Sequence, residues 1–246
     1  MAFFLSYRSL QKQKRLNQLK NDFISNVTHE LKTPITTVGV AIEALRNFNA
    51  LQDPAKTEEY LAISKQELNR LSILVDRVLK MSLFDQQEPE LKIESLDLQQ
   101  LSEGILRSMK LQFEKYGAVV ETTFEGEDFD LEGDRGHLTS VLYNLIDNAL
   151  KYGGDTPQIQ LFIQEKEGQI EIQVMDRGIG IPNAYQDRIF EKFFRVPSGD
   201  RHNIKGHGLG LSYVSSVIAQ HQGTIDFDST EGKGTTFTIQ LPRKHG

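Results

Sequence analysis

The feature that most constrains the fold is a stripe of apolar residues that recurs every three or four positions. Its members are Leu16, Leu19, Phe23, Val27, Leu31, Ile35, Val38, Ile42 and Leu45. This spacing keeps the stripe on one narrow side of an α-helix. It predicts one long helix from about Leu10 to Phe48, with the seam of a helical bundle or coiled coil rather than a wide buried face.

A second helix is predicted after a turn at Asn47 to Gln52. Asp53 and Pro54 provide an N-cap and a first-turn proline, and the helix runs to about Phe84. Two helices cannot bury two apolar stripes by themselves, so we expect a homodimer that forms a four-helix bundle. The stripe of the second helix consists of Leu61, Leu68, Leu71, Leu74, Val75, Val78 and Met81.

The helical pattern breaks at Asp85 to Pro89, and the 246-residue length suits two domains. We expect a helical lead-in at 1–15, a helical hairpin domain at 16–85, a linker at 86–90 and a second domain at 91–246. Because periods of two and of 3.6 alternate there, that domain is predicted to be an α/β sandwich, a mixed sheet layered on helices. The predicted elements are a strand at Leu91–Ser95, helices at Asp97–Tyr116 and Asp134–Tyr152, a strand at AVVETTF, antiparallel strands at Ile159–Gln164 and Ile170–Val174, a helix at Leu209–His221 ended by Gly223, and a closing hairpin.

His29 lies on the first helix, in the segment THELKTP. At 100° per residue it is roughly 160° from Val27 and Leu31, so the imidazole is expected to face away from the seam, as an in-line phosphoryl acceptor must. Glu30 can hydrogen-bond one ring nitrogen or take its proton. Pro34 is expected to bend the helix, and Thr33 can hold a water for phosphate removal.

A lone exposed histidine on a helix usually has no function. The other five histidines, which share no ligand spacing, are interpreted as surface or loop residues: His137, His202, His207, His221 and His245.

Polar residues in NLIDNALKY predict part of a nucleotide site. Asn144 and Asn148 stand one helical turn apart, with Lys151 and Tyr152 close by. An asparagine carbonyl is a hard oxygen ligand, so Asn148 is the candidate Mg²⁺ ligand. Lys151 adds positive charge for phosphate and Tyr152 an aromatic wall.

Asp176 ends an apolar strand, where its carboxylate requires a donor such as the amine of adenine. Gly178 and Gly180 follow, and we expect their missing side chains to make room for the base. An ordinary strand-to-helix turn also explains these glycines.

The segment GHGLGLS opens the last helix. Gly206, Gly208, Leu209 and Gly210 are predicted to present backbone N–H groups to phosphate. The polar stretch PSGDRHNIK before it is typical of a mobile lid.

Three further predictions concern residues around that stretch. Arg195 is the candidate for reaching the terminal phosphate. Phe190, Phe193 and Phe194 are expected to anchor the lid in the core. Thr235 is expected to point inward with Phe237 and Ile239, where it supports Asp176 or a water beneath adenine, or is simply structural.

Together these segments resemble the catalytic core of a two-component sensor histidine kinase. THELKTP is similar to the H box of that family, NLIDNALKY to its N box, DRGIGIP to its G1 box, FEKFFR to its F box and GHGLGLS to its G2 box. The resemblance implies a dimerisation and phosphotransfer hairpin joined to a Bergerat-type ATP-binding sandwich. It also implies transfer of the γ-phosphoryl group of Mg-ATP to His29, and from there to an aspartate of a response regulator.

The resemblance further implies that Glu30 and Thr33 serve the autokinase and phosphatase activities. Positions that choose the regulator in this family correspond here to Thr36, Thr37, Val40, Ala41 and Ala44, which are expected to be exposed.

Two other functions remain open from the residues alone. The first is an ATP hydrolase of the same nucleotide fold, like gyrase or the Hsp90 chaperones. Such an enzyme needs a glutamate where this chain has Asn144, which cannot act as a base, and Asp147 is expected to face elsewhere. The second is a dimeric scaffold that binds nucleotide without phosphotransfer, although none of the motif residues is lost.

Bulk composition narrows the partners and the location. A net charge of -6 argues against nucleic acid as a partner, and the absence of cysteine excludes disulfides and thiolate metal sites. The opening AFFL is too short to span a bilayer. The basic residues after it, Arg8, Lys12, Lys14, Arg15 and Lys20, resemble the cytoplasmic flank of a membrane helix. We therefore expect the cytoplasmic part of a membrane-anchored sensor, with a solvated helix face as the alternative.

Overall fold

The computed structural model describes residues 2–47, 53–68, 71, 91–196 and 210–244. The chain divides into two compact units, Met1–Pro89 and Glu90–Gly246. The predicted turn before Asp53, the second helix beyond residue 71, the linker and the lid stretch lie outside the described residues.

The first unit contains the two predicted helices. Helix α1 spans Ala2–Asn47, so it begins eight residues earlier than predicted and continues through Pro34. Helix α2 occupies 54–68, and residue 71 is also helical. The predicted cap of α2 is confirmed, because Oδ1 of Asp53 accepts hydrogen bonds from the N–H groups of Ala55 at 3.1 Å and Lys56 at 3.3 Å.

The apolar stripes of this unit are only partly covered. Ala41 is buried, whereas Ile35 and Ile42 on α1 are 58% and 49% exposed. On α2, Leu61 and Leu68 are 51% and 55% exposed. Each exposed pair is separated by seven residues, so each lies on one side of its helix. The single chain therefore leaves an apolar strip on both helices.

The second unit is an α/β sandwich, as predicted. Its elements are β1 (Glu94–Asp97), α3 (Leu98–Tyr116), β2 (Val119–Glu125), β3 (Asp130–Gly133), α4 (Arg135–Tyr152), β4 (Gln158–Lys166), β5 (Gln169–Asp176), α5 (Asn183–Gln186), α6 (Gly210–Gln220), β6 (Thr224–Thr230) and β7 (Gly234–Pro242). The five-stranded sheet has the order β2-β4-β5-β7-β6; β2 and β4 are parallel and the other neighbours antiparallel, which makes the sheet mixed. A separate antiparallel ladder joins β1 to β3.

Two strand predictions were wrong. The strand predicted at Leu91–Ser95 lies at Glu94–Asp97, and β3 was not predicted. Both strands are four residues long and pair only with each other, so their position depends on that long-range ladder rather than on a local pattern.

The core lies between one face of the sheet and the helices. Alternate residues of the three central strands face α4 and α6, and the partners in register include Ile172 with Ile239 and Val174 with Phe237. The fully buried residues of these strands and helices include Leu142, Leu145, Ile146, Leu161, Ile163, Ile170, Val214, Val217 and Ile239.

Side-chain caps and a left-handed residue set the ends of these helices. Asp97 caps α3 through the N–H of Gln100, and Asp134 caps α4 through the N–H of His137. Helix α6 was predicted to run to His221 and to be ended by Gly223, but it ends at Gln220. The left-handed residue is Gln222, with φ 58°, and Gly223 follows it and donates to the carbonyl of Ile218 at 2.9 Å.

No helix within the described ranges has both the length and the apolar character that crossing a bilayer requires.

Candidate functional site

The C-terminal end of α4 packs against the turn that follows β5. The carbonyl of Tyr152 accepts a hydrogen bond from the N–H of Ile179 at 3.0 Å. A Cβ atom at Gly178 would lie 2.1 Å from the same carbonyl oxygen. The N-box and G1-box segments, which sequence analysis assigned to one site, are therefore in direct contact.

Asp176 is the last residue of β5 and lies on the face of the sheet that the helices cover. Its Oδ1 accepts a hydrogen bond from the N–H of Gly178 at 2.8 Å. Burial raises the pKa of Asp176, and the backbone N–H groups of Gly178 and Thr235 oppose that rise. The result is a half-buried carboxylate at a strand end, suited to accept a further hydrogen bond from a ligand amine.

The reason for the glycines after Asp176 differs from the prediction. Gly180 has φ 64°, and a Cβ there would lie 2.1 Å from the carbonyl oxygen of Thr230. At Gly178 the conflict is with Tyr152, and a Cβ at Gly234 would lie 2.0 Å from the carbonyl oxygen of Asp176. Protein backbone fills the space beside all three glycines, so close chain-on-chain packing by itself requires glycine at these positions.

Two hydroxyl groups, those of Thr235 and Ser229, lie beside the turn that follows β5. Thr235 is buried on the same side of β7 as Phe237 and Ile239, which confirms its predicted orientation. Its Oγ1 lies 2.9 Å from Oγ of Ser229, which also accepts a hydrogen bond from the N–H of Ile181 at 2.8 Å. The hydroxyl of Thr235 therefore pairs with Ser229, and only its backbone N–H supports Asp176.

Sequence analysis missed Ser229 and Gln186, which both hold this turn. Gln186 donates from Nε2 to the carbonyl oxygens of Ile181 at 2.9 Å and Ser229 at 3.0 Å. The signal for Ser229 was available, because it is a polar residue at an inward position of β6, two residues after Phe227.

The polar residues of α4 have different surroundings. Asn144 donates from Nδ2 to the carbonyl of Ser140 at 2.7 Å, and its Oδ1 would lie 3.0 Å from a Cβ at Gly210, the first residue of α6. Asn148 is half-buried, and no group in the described ranges hydrogen-bonds its side chain. Lys151 pairs with Asp147, with 2.5 Å between Nζ and Oδ2. Of the two asparagines, Asn148 is thus the one whose side-chain amide makes no hydrogen bond within the described ranges.

Tyr152 links α4 electrostatically to Arg195, the last residue of the F box. Burial raises the pKa of the Tyr152 phenol, the positive charge of Arg195 opposes that rise, and Asp147 adds to it. Arg195 is exposed. The structure therefore brings Arg195 within electrostatic reach of the α4 end, as its assignment to the nucleotide site requires.

The F-box phenylalanines are only partly core residues. Phe194 is 8% exposed, and its ring centroid lies 6.1 Å from that of Tyr185. The guanidinium carbon of Arg188 lies 4.0 Å from the centroid of the same ring. Phe190 is half-buried with its ring 5.9 Å from that of Phe227. Phe193 has φ 67°, an unusual backbone conformation for a phenylalanine.

The interpretation of the histidines as surface or loop residues was wrong for His221. It is 2% exposed, its Nε2 accepts the N–H of Asp134 at 2.9 Å, and its Nδ1 lies 2.8 Å from the carbonyl of Val217. His137 is half-buried, with Nδ1 3.0 Å from the hydroxyl of Tyr213. Both histidines join α4 to α6.

In the first unit, the backbone of His29 and Glu30 is part of α1 and their side chains lie outside what is described. Thr33, Thr36 and Val40 are exposed. Ala41 was expected to be exposed, but it is 3% exposed, because the helix turns it to the covered side. It therefore cannot contact a regulator directly.

Several other predicted positions are not described. Gly206, Gly208 and Leu209, and the histidines at 202, 207 and 245, lie outside the described residues. Within the described ranges, no group of three or more histidine, aspartate or glutamate side chains is arranged to hold a metal.

Two family models match this chain. Residues 19–87 match the His Kinase A (phospho-acceptor) domain. Residues 133–245 match the histidine kinase-, DNA gyrase B- and HSP90-like ATPase. Fold and site thus define a phospho-acceptor helical domain joined to an ATP-binding domain.

Sequence relatives point to the same class. The chain is 36% identical over 244 residues to sensor protein RprX of Bacteroides fragilis, covering 98% of this chain and 47% of RprX. It is 32% identical over 234 residues to sensor histidine kinase WalK of Bacillus subtilis, covering 94% of this chain and 38% of WalK. The chain thus spans about half or less of the length of these curated relatives.

Solved structures agree. The histidine kinase ThkA in complex with response regulator protein TrrA has a TM-score of 0.64 and 25% identity, over 97% of this chain and 66% of that chain. The isolated catalytic domain of ThkA has a TM-score of 0.56 over 62% of this chain and 99% of that chain. The chain belongs to the sensor histidine kinases, of which it has the two-domain catalytic core.

Proposed function

We propose that this chain phosphorylates His29 with the γ-phosphoryl group of ATP and passes that group to an aspartate of a response regulator. The observation that carries the proposal is the presence of both halves of the reaction on one chain. The match to the phospho-acceptor domain includes the segment THELKTP, and the other unit contains the ATP-binding fold with its N-box and G1-box segments in contact.

The chemistry requires a neutral imidazole nitrogen at position 29. Its lone pair attacks the γ-phosphorus in line, the bond from phosphorus to the β–γ bridging oxygen breaks, and ADP leaves with that electron pair. Glu30, next along α1, orients the ring or takes the proton of the other nitrogen. Lys151, Arg195 and the glycine-rich segment of Gly206, Gly208, Leu209 and Gly210 are assigned to the phosphates.

The adenine and metal assignments rest on two different groups. Asp176, the half-buried carboxylate at the end of β5, accepts the exocyclic amine, and the backbone N–H groups of Gly178 and Thr235 hold it in place. Gly180 lets the turn approach Thr230 closely. Asn148 fits Mg²⁺ because its amide is a hard oxygen ligand with no hydrogen-bond partner in the described ranges. The ion, when bound, neutralises phosphate charge. Asn144 and Tyr152 line the same side of α4.

The first unit supplies the dimer and regulator surfaces. The apolar strip of Ile35 and Ile42 on α1, with Leu61 and Leu68 on α2, supports a homodimer in which a second copy covers it. Exposed Thr36 and Val40, with half-buried Thr37 and Ala44, form the regulator-contacting surface below His29. Thr33 is assigned to a water for dephosphorylation of the regulator.

The cellular location is inferred from the charge pattern of the chain and from the length of its relatives. The basic residues of the first 20 positions, together with relatives about twice as long, support a protein anchored in the membrane with this core on the cytoplasmic side.

The domain boundaries at 16–85 and 91–246 are part of the proposed function.

An ATP hydrolase is disfavoured by the surroundings of α4. The position that would hold a water-activating glutamate is Asn144, whose side chain donates to its own helix. The nearest carboxylate along α4, Asp147, is paired with Lys151. Neither group is available to remove a proton from water.

The deciding experiment measures covalent label from [γ-³²P]ATP with magnesium. The parent chain should acquire label that is lost in acid and stable in base, as expected of phosphohistidine. His29→Ala should acquire none and still bind nucleotide, while Lys32→Ala, an exposed change on the same helix, should be labelled normally. Acid-labile label on the His29→Ala variant would overturn the acceptor assignment.

A further inference from the structure

The ion pair between Asp147 and Lys151 differs from the other helical ion pairs. Its atoms lie 2.5 Å apart, and its side chains are only 22% and 18% exposed. The same one-turn spacing on α3 joins Arg107 to Glu103 at 3.5 Å, with 72% and 41% of those side chains exposed. Because exposed ion pairs are screened by water and salt, the less exposed α4 pair is screened less than the α3 pair.

The pair is also next to the groups assigned to nucleotide. Asp147 directly precedes Asn148, and Lys151 directly precedes Tyr152, whose carbonyl holds the G1-box turn. The charge of Asp147 raises the pKa of the Tyr152 phenol, and the charge of Arg195 lowers it. The negative charge of Asp147 therefore reaches the Tyr152 phenol, which the positive charge of Arg195 also reaches.

We propose that Asp147 competes with the nucleotide phosphates for Lys151 and thereby weakens binding in proportion to the number of phosphates. This rests on the proposed function, which assigns Lys151 to phosphate. A lysine already neutralised at 2.5 Å must exchange its carboxylate partner for a phosphate oxygen, so most of the gain from the new contact is offset by the pair it breaks. The carboxylate left behind then repels the bound phosphates.

The proposal predicts that removing the negative charge of Asp147 increases the affinity for nucleotide. Asp147→Asn is nearly isosteric, keeps a side chain that can hydrogen-bond Lys151 and removes the negative charge. Mg-ATP should then bind about tenfold more tightly, Mg-ADP by a smaller factor, and adenosine with unchanged affinity, as measured by isothermal titration calorimetry on the full chain. This gain in affinity should be smaller at high salt, because screening weakens both the Asp147–Lys151 ion pair and the repulsion between Asp147 and phosphate.

Two control variants separate competition from a general effect of charge. Asp226→Asn removes the same charge from β6 on the sheet face that the helices leave uncovered, and should leave all three affinities unchanged. In a Lys151→Met background there is no ammonium to compete for. The gain from Asp147→Asn should therefore fall to about threefold or less, the part due to direct repulsion.

Each outcome decides the matter. Unchanged or weaker ATP binding by Asp147→Asn overturns the proposal, and so does an equal gain for adenosine, which would indicate a loosened domain. An undiminished gain in the Lys151→Met background overturns competition in favour of repulsion alone. Failure of the parent chain to bind any nucleotide would instead defeat the proposed function. Thermal unfolding of each variant, compared with the parent, identifies one that is misfolded.

Discussion

The two units of this chain bury their apolar residues in opposite ways. In the nucleotide-binding unit the alternate residues of the central strands are sealed between the sheet and α4 and α6, and Ile163 and Ile170 are 0% exposed. In the helical unit, Ile35 and Leu68 of the single chain are 58% and 55% exposed. The nucleotide-binding unit has a complete core, whereas the single helical unit leaves part of its apolar surface exposed.

The difference teaches what each unit needs in order to be stable. A layered sheet and helices close a core from one chain, so the ATP-binding unit requires no partner for its fold. A two-helix hairpin has only two stripes to pack together, and we expect a second copy to cover the apolar strip left over. We therefore expect dimerisation to be a property of the phospho-acceptor unit alone.

The strongest way to break this contrast is to place charge in the exposed strip. Ile35→Asp combined with Ile42→Asp removes four buried isoleucines per dimer, at a cost of about 6 kcal/mol or more. The variant should sediment as a monomer at micromolar concentration, while its affinity for ADP stays unchanged. Thr36→Asp, an exposed change on the same helix, should remain dimeric. A dimeric double variant would show that the strip is not the interface.

Within the closed unit, the next largest effect is expected at Gly178. A Cβ placed 2.1 Å from the Tyr152 carbonyl oxygen cannot be accommodated without moving α4 away from the G1-box turn. Gly178→Ala should lower the free energy of unfolding of this unit by about 3 kcal/mol and weaken ADP binding. Tyrosine fluorescence can follow the unfolding, because five of the seven tyrosines lie in this unit.

The matched control is Gly104→Ala on α3, where a Cβ meets nothing closer than 4.0 Å. This change should be neutral or stabilise by up to about 1 kcal/mol, as alanine does in a helix. Equal destabilisation by the two substitutions would contradict the close-approach explanation.

A smaller effect is expected at His221, where two substitutions separate the two ring nitrogens. His221→Asn keeps a donor near the Val217 carbonyl but leaves the buried N–H of Asp134 without its acceptor, at a cost of about 2 kcal/mol. His221→Gln keeps an acceptor for that N–H and loses only the donor. It should cost less, because the Val217 carbonyl also accepts the backbone N–H of His221 at 3.0 Å.

Amide hydrogen exchange at Asp134 measures this difference directly. Exchange should accelerate in the Asn variant and stay close to the parent rate in the Gln variant. The reverse order would show that the contact to Val217, and not the one to α4, is the important one.

The smallest expected effect is a pH dependence from Asp176. Burial raises the pKa of this carboxyl in the folded state, so the folded protein holds the proton to a higher pH than the unfolded chain does. The free energy of unfolding contributed by this group therefore falls as the pH rises from about 4 through the raised pKa. Asp176→Asn should remove that fall, so urea unfolding at pH 4 and pH 7 should favour the variant more at pH 7.

Features controlled by neighbouring residues were predicted well. The cap at Asp53, the helix starts at Asp97 and Asp134 and the antiparallel pairing of β4 with β5 follow from short-range chemistry and local periodicity. The α/β sandwich and the inward orientation of Thr235 follow from the same periods. The motif order was sufficient to assign the family.

Several predictions were wrong or incomplete because the feature depends on residues distant in sequence or on packing. His221 is buried because its imidazole meets the backbone of Asp134, 87 positions away. Gly178 is required by the carbonyl of Tyr152 and Gly180 by that of Thr230, neither of which a local pattern reveals. Ala41 is a small residue directly after the exposed Val40, and only packing shows that it is covered.

The sequence by itself determined the period of each segment, the order of the motifs and the chemistry that each motif can perform, because these depend on residues a few positions apart. Only the tertiary structure decided which polar groups are already satisfied. Thr235 is paired with Ser229 and His221 with the start of α4, whereas the amide of Asn148 has no partner in the described ranges. The physical reason is that burial and hydrogen bonding are properties of a folded neighbourhood, which long-range packing creates and local spacing does not encode.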